Sequence, residues 1–208
     1  MTHALIRAAR FPADHRMPHK FDPAHMAELD REDRREWQSP RILLDLARVR
    51  PGMATADVGC GIGYFAIPAA KRVGSKGMVF AIDTEADMLR ELRRRLRAGK
   101  IANVRPVQSA EQEIPLPDAC ADVAWSVNTF HEFEDSVALL REVRRLLRPG
   151  GSVLLVDWKP IDTPMGPPLE VRVYAREISR ALRAAGFTGV SERRVYAYHT
   201  VVVGRRPL

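Results

Sequence analysis

Residues 57–63 read DVGCGIG, and their flanks restrict the folds open to this chain. The segment ATADV at 54–58 reads as a strand that ends at Asp57-Val58, and a helix-compatible run begins near Tyr64-Phe65. Between them the chain turns sharply through Gly59, Gly61 and Gly63. Such a turn lets backbone approach a ligand closely where a Cβ would collide. The next apolar segment, MVFAID at 78–83, closes on Asp83, twenty residues beyond Gly63. Together these features point to a nucleotide-bearing ligand. Tyr64 stands where the fingerprint G-x-G-x-x-G would place its last glycine, which weakens the reading of a nicotinamide-dependent dehydrogenase.

The rest of the chain alternates. Ile42, Leu43, Leu46 and Ala47 outline a short helix that ends before Pro51-Gly52. A helix over about 64–72 follows the glycine turn, and a helix carrying Leu89, Leu92 and Leu96 on one face follows Asp83. NVRPV at 103–107 is a third strand, placed at an edge by Pro106. ADVAWSV at 121–127 is a fourth and leads to a helix from about Asp135 to Leu147, with Leu140, Val143 and Leu147 on its apolar face. Pro149-Gly150-Gly151 predicts a turn into SVLLVDW at 152–158, an apolar run of the kind buried on both sheet faces. A helix with Ile178, Leu182 and Ala185 stops at Gly186, and runs at 188–195 and 198–204 form an antiparallel hairpin. The expected fold is α/β, a doubly wound, mostly parallel sheet.

With 208 residues and 46% hydrophobic content, the chain suffices for a single domain. Its two cysteines, Cys60 and Cys120, form neither a C-x-x-C pair nor a disulfide framework, which fits a reducing cytoplasmic setting. No stretch has the length of a signal peptide's apolar region or of a membrane span, so a soluble protein is expected. The net charge of +7 raises the question of nucleic acid. Much of the excess lies in RELRRRLR at 90–97 and REVRRLLR at 141–148, outward from the apolar faces, and no aromatic series accompanies it. A solvated helix surface is favoured over a phosphate-binding patch.

DVGCGIG, the acidic strand end at Asp83, Ser109-Ala110-Glu111, the strand into Asn128 and RRLLRPGGSVLLVDW at 144–158 together resemble the motif series of class I S-adenosylmethionine-dependent methyltransferases. The resemblance covers roughly residues 40–204 and keeps the family's motif order. It implies a Rossmann-like seven-stranded sheet whose last strand is antiparallel. Within the family, the trailing DWKP is partly similar to the ubiquinone and menaquinone methyltransferase group, whose pattern has one more residue before Lys-Pro.

The cofactor implied is S-adenosylmethionine, with S-adenosylhomocysteine as product, and each part of it asks for a different partner. Asp83 can accept hydrogen bonds from the ribose hydroxyls, or cap the helix that starts after Thr84. Asp57 can sit behind the turn and favour the ligand's ammonium, or act only as a turn carboxylate. By resemblance, Ser109, Ala110 and Glu111 meet the adenine amine. Thr84 and Met88 can flank the ring, with Met88 also extending its helix's core face. The Asn128 carbonyl is a candidate for the ammonium, and its side chain can instead face the acceptor.

Methyl transfer is an in-line displacement, so alignment and exclusion of water supply much of the acceleration and an acid or base is optional. His131, in the loop FHEFED after the fourth strand, is the candidate base, with a packing or capping role as the alternative. Glu132 and Asp157 are weaker candidates. There is no N/D-P-P-Y/F tetrapeptide and no Pro-Cys nucleophile, which removes support from two classes of nucleic-acid methyltransferase.

Residues 1–38 are expected to form an extension beyond the methyltransferase domain at 39–208, acting as a lid over the cofactor or as a disordered or merely packing tail. They hold His3, His15, His19 and His25, with Phe21, Met26 and Trp37. Pro18 separates His15 from His19 and no cysteine or carboxylate set completes a site, so no metal is expected. The segment KPIDTPMGPPLEVRV at 159–173 reads as a rim of the acceptor pocket or a connector. The overall expectation is a methyltransferase acting on a small-molecule acceptor. Alternatives are an RNA or protein methyltransferase, or an adenosylmethionine-binding protein without turnover. The oligomeric state is not legible.

Overall fold

The computed structural model describes residues 23–31 and 33–208. A 3-10 segment, Pro23–Asp30, and a four-residue helix α1, Arg34–Trp37, precede helix α2, Pro40–Leu46. Then strands and helices alternate: β1 Ala54–Val58, α3 Ala66–Val73, β2 Met78–Asp83, α4 Ala86–Ala98, β3 Val104–Gln108, β4 Ala121–Val127, α5 Ser136–Leu146 and β5 Leu147–Trp158. Helix α6, Ala175–Ala184, leads to β6, Thr188–Arg193, and β7, His199–Arg205.

The seven strands lie in the order β3-β2-β1-β4-β5-β7-β6. β1 pairs in parallel with β2 and β4, while β7 runs antiparallel to both β5 and β6. The expected sheet and its antiparallel final strand are both present. β3 is an edge, where Pro106 costs no second ladder. From β1 the chain winds outward through β2 and β3, then returns to place β4 on β1's other side. The order therefore reverses between β1 and β4, and in open α/β sheets a crevice forms outside the strand ends at such a point.

The sheet is covered on both faces. Alternation along β5 sends Leu154 and Val156 to a core shared with Leu43, Ala66, Val73, Leu89 and Leu92. Val153 and Leu155 go to the opposite core with Leu140, Val143, Leu146, Ile178 and Leu182. This two-sided burial is what the unbroken apolar run calls for.

Two local expectations are corrected. Pro149-Gly150-Gly151 is not a turn before the strand but part of β5, where the pairing partner of β4 jumps from Leu147 to Ser152. The bulge holds because Gly150 N donates to Arg206 O at 3.1 Å and Arg206 N donates to Gly151 O at 2.8 Å. The arginines of α5 are also less outward than those of α4. Arg145 is half-buried and donates to Leu116 O, Ile114 O, Glu142 and Asp118, so it fastens the 114–118 loop to the helix.

Candidate functional site

At the carboxyl ends of β1, β2 and β4 opens a cavity of about 430 Å3. One end is formed by the glycine turn. Gly59 has φ +75°, and a Cβ there would come within 2.5 Å of Thr129 Cγ2. The missing side chain thus serves the packing of turn against the β4 loop as well as ligand approach. Gly59 N and Cys60 N both donate to Ile82 O, at 2.9 and 3.0 Å, which pins the turn to the end of β2. Asp83 reinforces this: Oδ2 accepts from Gly61 N at 2.7 Å and Oδ1 from Glu85 N at 2.9 Å. Its carboxylate braces the turn and caps the entry to α4, while still lining the cavity. Burial pushes the Asp83 carboxyl up from its ordinary value.

Of the residues singled out from the sequence, Gly59, Gly61, Asp83, Thr84, Met88, Ser109, Glu111, Asn128 and His131 line this one cavity. Asp57, Gly63 and Ala110 do not. Gly63 lies under Leu92 of α4, and Asp57 is buried behind the turn at 2% exposure. Asp57 Oδ2 has no hydrogen-bond partner among the described residues. Burial, with Asp83 adding to it, pushes the Asp57 carboxyl up to about 8. Glu111 accepts from Glu134 N at 2.6 Å, joining the loop after β3 to the FHEFED loop.

His131 and Asp157 meet at the other side. Asp157, fully buried, accepts from Trp158 N at 2.7 Å and His131 N at 3.1 Å, and His131 Nδ1 lies 2.8 Å from its Oδ1. A carboxylate accepting there makes Nδ1 the protonated nitrogen and leaves Nε2 as the lone-pair site. Burial alone would lower the imidazole's pKa, but the charge and hydrogen bond of Asp157, with Glu132, outweigh it and raise it. The backbone N–H bond to Asp157 also shows why the loop FHEFED stays folded over the end of β5.

The N-terminal residues contribute several groups that the sequence reading did not single out. Gln38 is fully buried and exchanges amide hydrogen bonds with Asn128: Gln38 Nε2 donates to Asn128 Oδ1 at 3.0 Å, and Asn128 Nδ2 donates to Gln38 Oε1 at 3.2 Å. Arg34, 6% exposed, donates from Nε and Nη2 to Gln38 Oε1 at 3.0 and 2.8 Å and lies 4.0 Å over the Tyr64 ring. Tyr64 OH donates to Gln38 O at 3.1 Å. Burial pushes the Arg34 guanidinium down to about 10. Only the i,i+4 spacing of Arg34 and Gln38 hinted at such a pair, in a stretch that otherwise reads as charged surface.

Trp37 stacks on His199 at 5.7 Å and reaches Trp158 at 5.5 Å, and both tryptophans line the cavity. His199 is fully buried, and the surrounding apolar rings and nearby cations push its pKa down to about 3, so it packs as a neutral ring. The proline-rich segment closes this side through Met165, Gly166, Pro167 and Pro168. Buried Arg172 shapes it by donating to the carbonyls of Ile161, Met165 and Pro167 at 2.6, 3.2 and 2.9 Å. His3, His15, His19 and Phe21 lie outside the described residues. Among the described residues no group of three His, Cys, Asp or Glu side chains could hold a metal, and no helix is long and apolar enough to cross a membrane.

Comparison with known proteins agrees with this architecture. Residues 56–151 match a family model described as a methyltransferase domain. A crystal structure of an S-adenosylmethionine-dependent methyltransferase from Aquifex aeolicus is 32% identical, superposes with a TM-score of 0.86, and covers 90% of this chain and 100% of its own. Among curated proteins, the ubiquinone/menaquinone biosynthesis C-methyltransferase of Vibrio vulnificus is 33% identical over 133 residues, 63% of this chain and 50% of the relative. The Idiomarina loihiensis protein of the same description is 36% identical over 129 residues, 61% of this chain and 51% of the relative. The chain thus spans about half the length of the curated relatives it matches.

Proposed function

The chain belongs to the class I S-adenosylmethionine-dependent methyltransferases, and from that premise we propose that it binds S-adenosylmethionine in the cavity described and methylates a small, largely apolar acceptor. The observation that carries this reading is that one cavity joins two unlike halves. The glycine turn, Asp83, Thr84, Met88, Ser109, Glu111 and Asn128 form a polar half suited to a nucleoside. Trp37, Phe133, Trp158, Met165 and Pro167 form an apolar half, with His131 at its edge. The buried Asp57 oxygen without a partner fits a cationic group beyond the turn.

Bound adenosylmethionine would supply a methyl group already activated on a sulfonium. The protein's share is to hold, orient and exclude water. Asp83 retains lone pairs for the ribose diol after bonding Gly61 and Glu85. Ser109 and Glu111, with the Ala110 backbone between them, stand at the adenine end, and Met88 offers one face for the ring. The Asn128 side chain is engaged with Gln38, so the Asn128 carbonyl is the group for the ammonium. His131 Nε2 would take the proton the acceptor gives up, and Asp157 holds the imidazole in the competent tautomer. Arg34 and Trp37, from the described part of the segment before residue 39, act as a cover over the reacting centre.

The curated relatives are C-methyltransferases of ubiquinone and menaquinone biosynthesis, which makes hydroxylated aromatic rings the first acceptors to assay, and the two tryptophans suit a planar ring. Calorimetry with adenosylmethionine, adenosylhomocysteine and NAD tests the cofactor. Radiolabelled methyl transfer into host extract, with mass identification of the product, tests the acceptor class. Binding of NAD with no adenosylhomocysteine signal refutes the reading. Label appearing in RNA or protein rather than a small molecule replaces the acceptor.

A further inference from the structure

The large apolar side chains left on the surface are not scattered. Among the described residues, Ile161, Leu169, Tyr174 and Val195 are between 38% and 51% exposed, and they belong to two loops at the carboxyl end of β5. The fold ties these loops together. Arg172 gathers the first by donating to the carbonyls of Ile161, Met165 and Pro167. Lys159 N donates to Tyr198 O at 2.9 Å, and Lys159 Nζ to Tyr196 O and Ala197 O at 2.9 and 2.7 Å, which brings the loop carrying Val195 against the start of the first. Leu169 opens a 3-10 turn directly after Pro168, which lines the acceptor half of the cavity. Single exposed apolar side chains need no explanation, but a group of them around one mouth marks a contact surface.

The charge beside this rim says what it meets. Tyr174 precedes α6, and Arg176 lies 4.0 Å over its ring. Arg176, Arg180 and Arg183 follow one another at helical spacing along the solvent face of α6, opposite the buried Ile178, Ala181 and Leu182. Arg145 and Arg148 are held by Glu142, Asp118 and Asp122, whereas no carboxylate among the described residues pairs with any of the three on α6. The one acid of that helix, Glu177, is turned back to accept from Tyr174 N at 2.7 Å. Around the rim the exposed carboxylates Asp162, Glu170 and Glu192 are outnumbered by these three arginines together with Arg193 and Arg194. A nucleic-acid backbone would use the arginines and leave the apolar group in water. An uncharged protein face would do the reverse. A lipid surface with anionic headgroups uses both, since apolar side chains enter the headgroup layer while cations stay with the phosphates.

Resting on the reading of an apolar acceptor given above, we propose that this rim and the outer row of α6 dock the protein on an anionic lipid surface. Ile161, Leu169, Tyr174 and Val195 enter the headgroup layer, and Arg176, Arg180 and Arg183 sit on lipid phosphates. The mouth beside Met165 and Pro168 then opens toward the bilayer, so an apolar acceptor reaches the cavity without crossing water.

The test is cosedimentation of the full chain with vesicles of phosphatidylcholine alone and of phosphatidylcholine mixed with phosphatidylglycerol. The wild-type protein should bind the mixed vesicles, bind the neutral ones much more weakly, and be released by salt. The combined variant Arg176→Glu, Arg180→Glu, Arg183→Glu should bind the mixed vesicles on the order of a hundredfold more weakly. Leu169→Ser should bind them roughly tenfold more weakly. Both variants should keep the wild-type affinity for adenosylhomocysteine, which reports that they are folded; the comparison of the two vesicles needs no variant. Failure of the wild-type protein to bind mixed vesicles overturns the proposal. So does binding that the arginine substitutions abolish and Leu169→Ser leaves unchanged while duplex RNA competes, which gives the face to nucleic acid. A dimer in sedimentation velocity that Leu169→Ser dissociates overturns it by giving the rim to a second copy. Adenosylhomocysteine binding without vesicle binding sinks this proposal alone, and vesicle binding without adenosylhomocysteine binding sinks the cofactor reading alone.

Discussion

Asp57→Asn should stabilise the ligand-free protein at neutral pH and do little at acid pH. The carboxyl is 2% exposed, one oxygen lacks a partner, and its folded pKa stands at about 8 against an ordinary value of 3.8. An acid whose pKa is raised by folding binds a proton more tightly in the native state. Its contribution is therefore favourable below about pH 4 and is lost progressively as the pH climbs toward 8, by roughly 1.4 kcal/mol per pH unit. Between pH 5 and 7.5 the wild-type protein should lose roughly 3 kcal/mol relative to Asp57→Asn, which has nothing to ionise at that position. For a chain of this size that corresponds to a relative melting shift of roughly 6–12 °C. Urea or thermal unfolding of both proteins at the two pH values reads the difference directly, because every other titrating group is common to both. Parallel pH dependence in the two proteins would refute the argument and mean that Asp57 is ionised and compensated in the native state. A cation held on the cavity side of the turn reverses the preference, so adenosylhomocysteine should bind the wild type more tightly at pH 8 than at pH 6, and this gain should disappear in Asp57→Asn.

Asp157→Asn removes the charge that raises the His131 pKa while leaving the burial that lowers it. The acidic limb of the kcat/KM profile should move to lower pH and the plateau fall by on the order of a hundredfold; a limb that stays in place removes His131 from the chemistry. Gly166→Ala puts a Cβ within 2.9 Å of the Trp158 ring at a backbone φ of +106°. Acceptor KM should rise with adenosylhomocysteine affinity unchanged, and an equal loss of both would place the rim at the cofactor instead. Asp83→Asn keeps an acceptor for one backbone N–H but loses the charge, so adenosylhomocysteine should bind about tenfold more weakly by calorimetry. Unchanged affinity would leave Asp83 with only its bracing role.

How far the site could be read from the chain differs residue by residue. The glycine turn and Asp83 are legible because their constraint is local: a strand end, a turn without side chains and an acid at the next strand end lie within one β-α-β unit. Pro106 at an edge is legible for the same reason, whereas the capping of α5 by Asp135, which accepts from Ala138 N at 2.9 Å, is shown by the structure. Pro149-Gly150-Gly151 misled because its hydrogen-bond partner, Arg206, is more than fifty residues away. Gln38 was invisible for a similar reason, since its partner Asn128 is ninety residues on.

Sequence alone therefore determined the doubly wound sheet, which follows from periodicity and short-range backbone chemistry, and its motif series pointed to the family by resemblance. Tertiary structure decided which polar groups lose water. Burial pushes the Asp57 carboxyl up and the Arg34 guanidinium down, makes His199 a neutral ring between tryptophans and pairs His131 with Asp157. Desolvation depends on what the fold brings against a side chain, and neither spacing nor composition along the chain contains that.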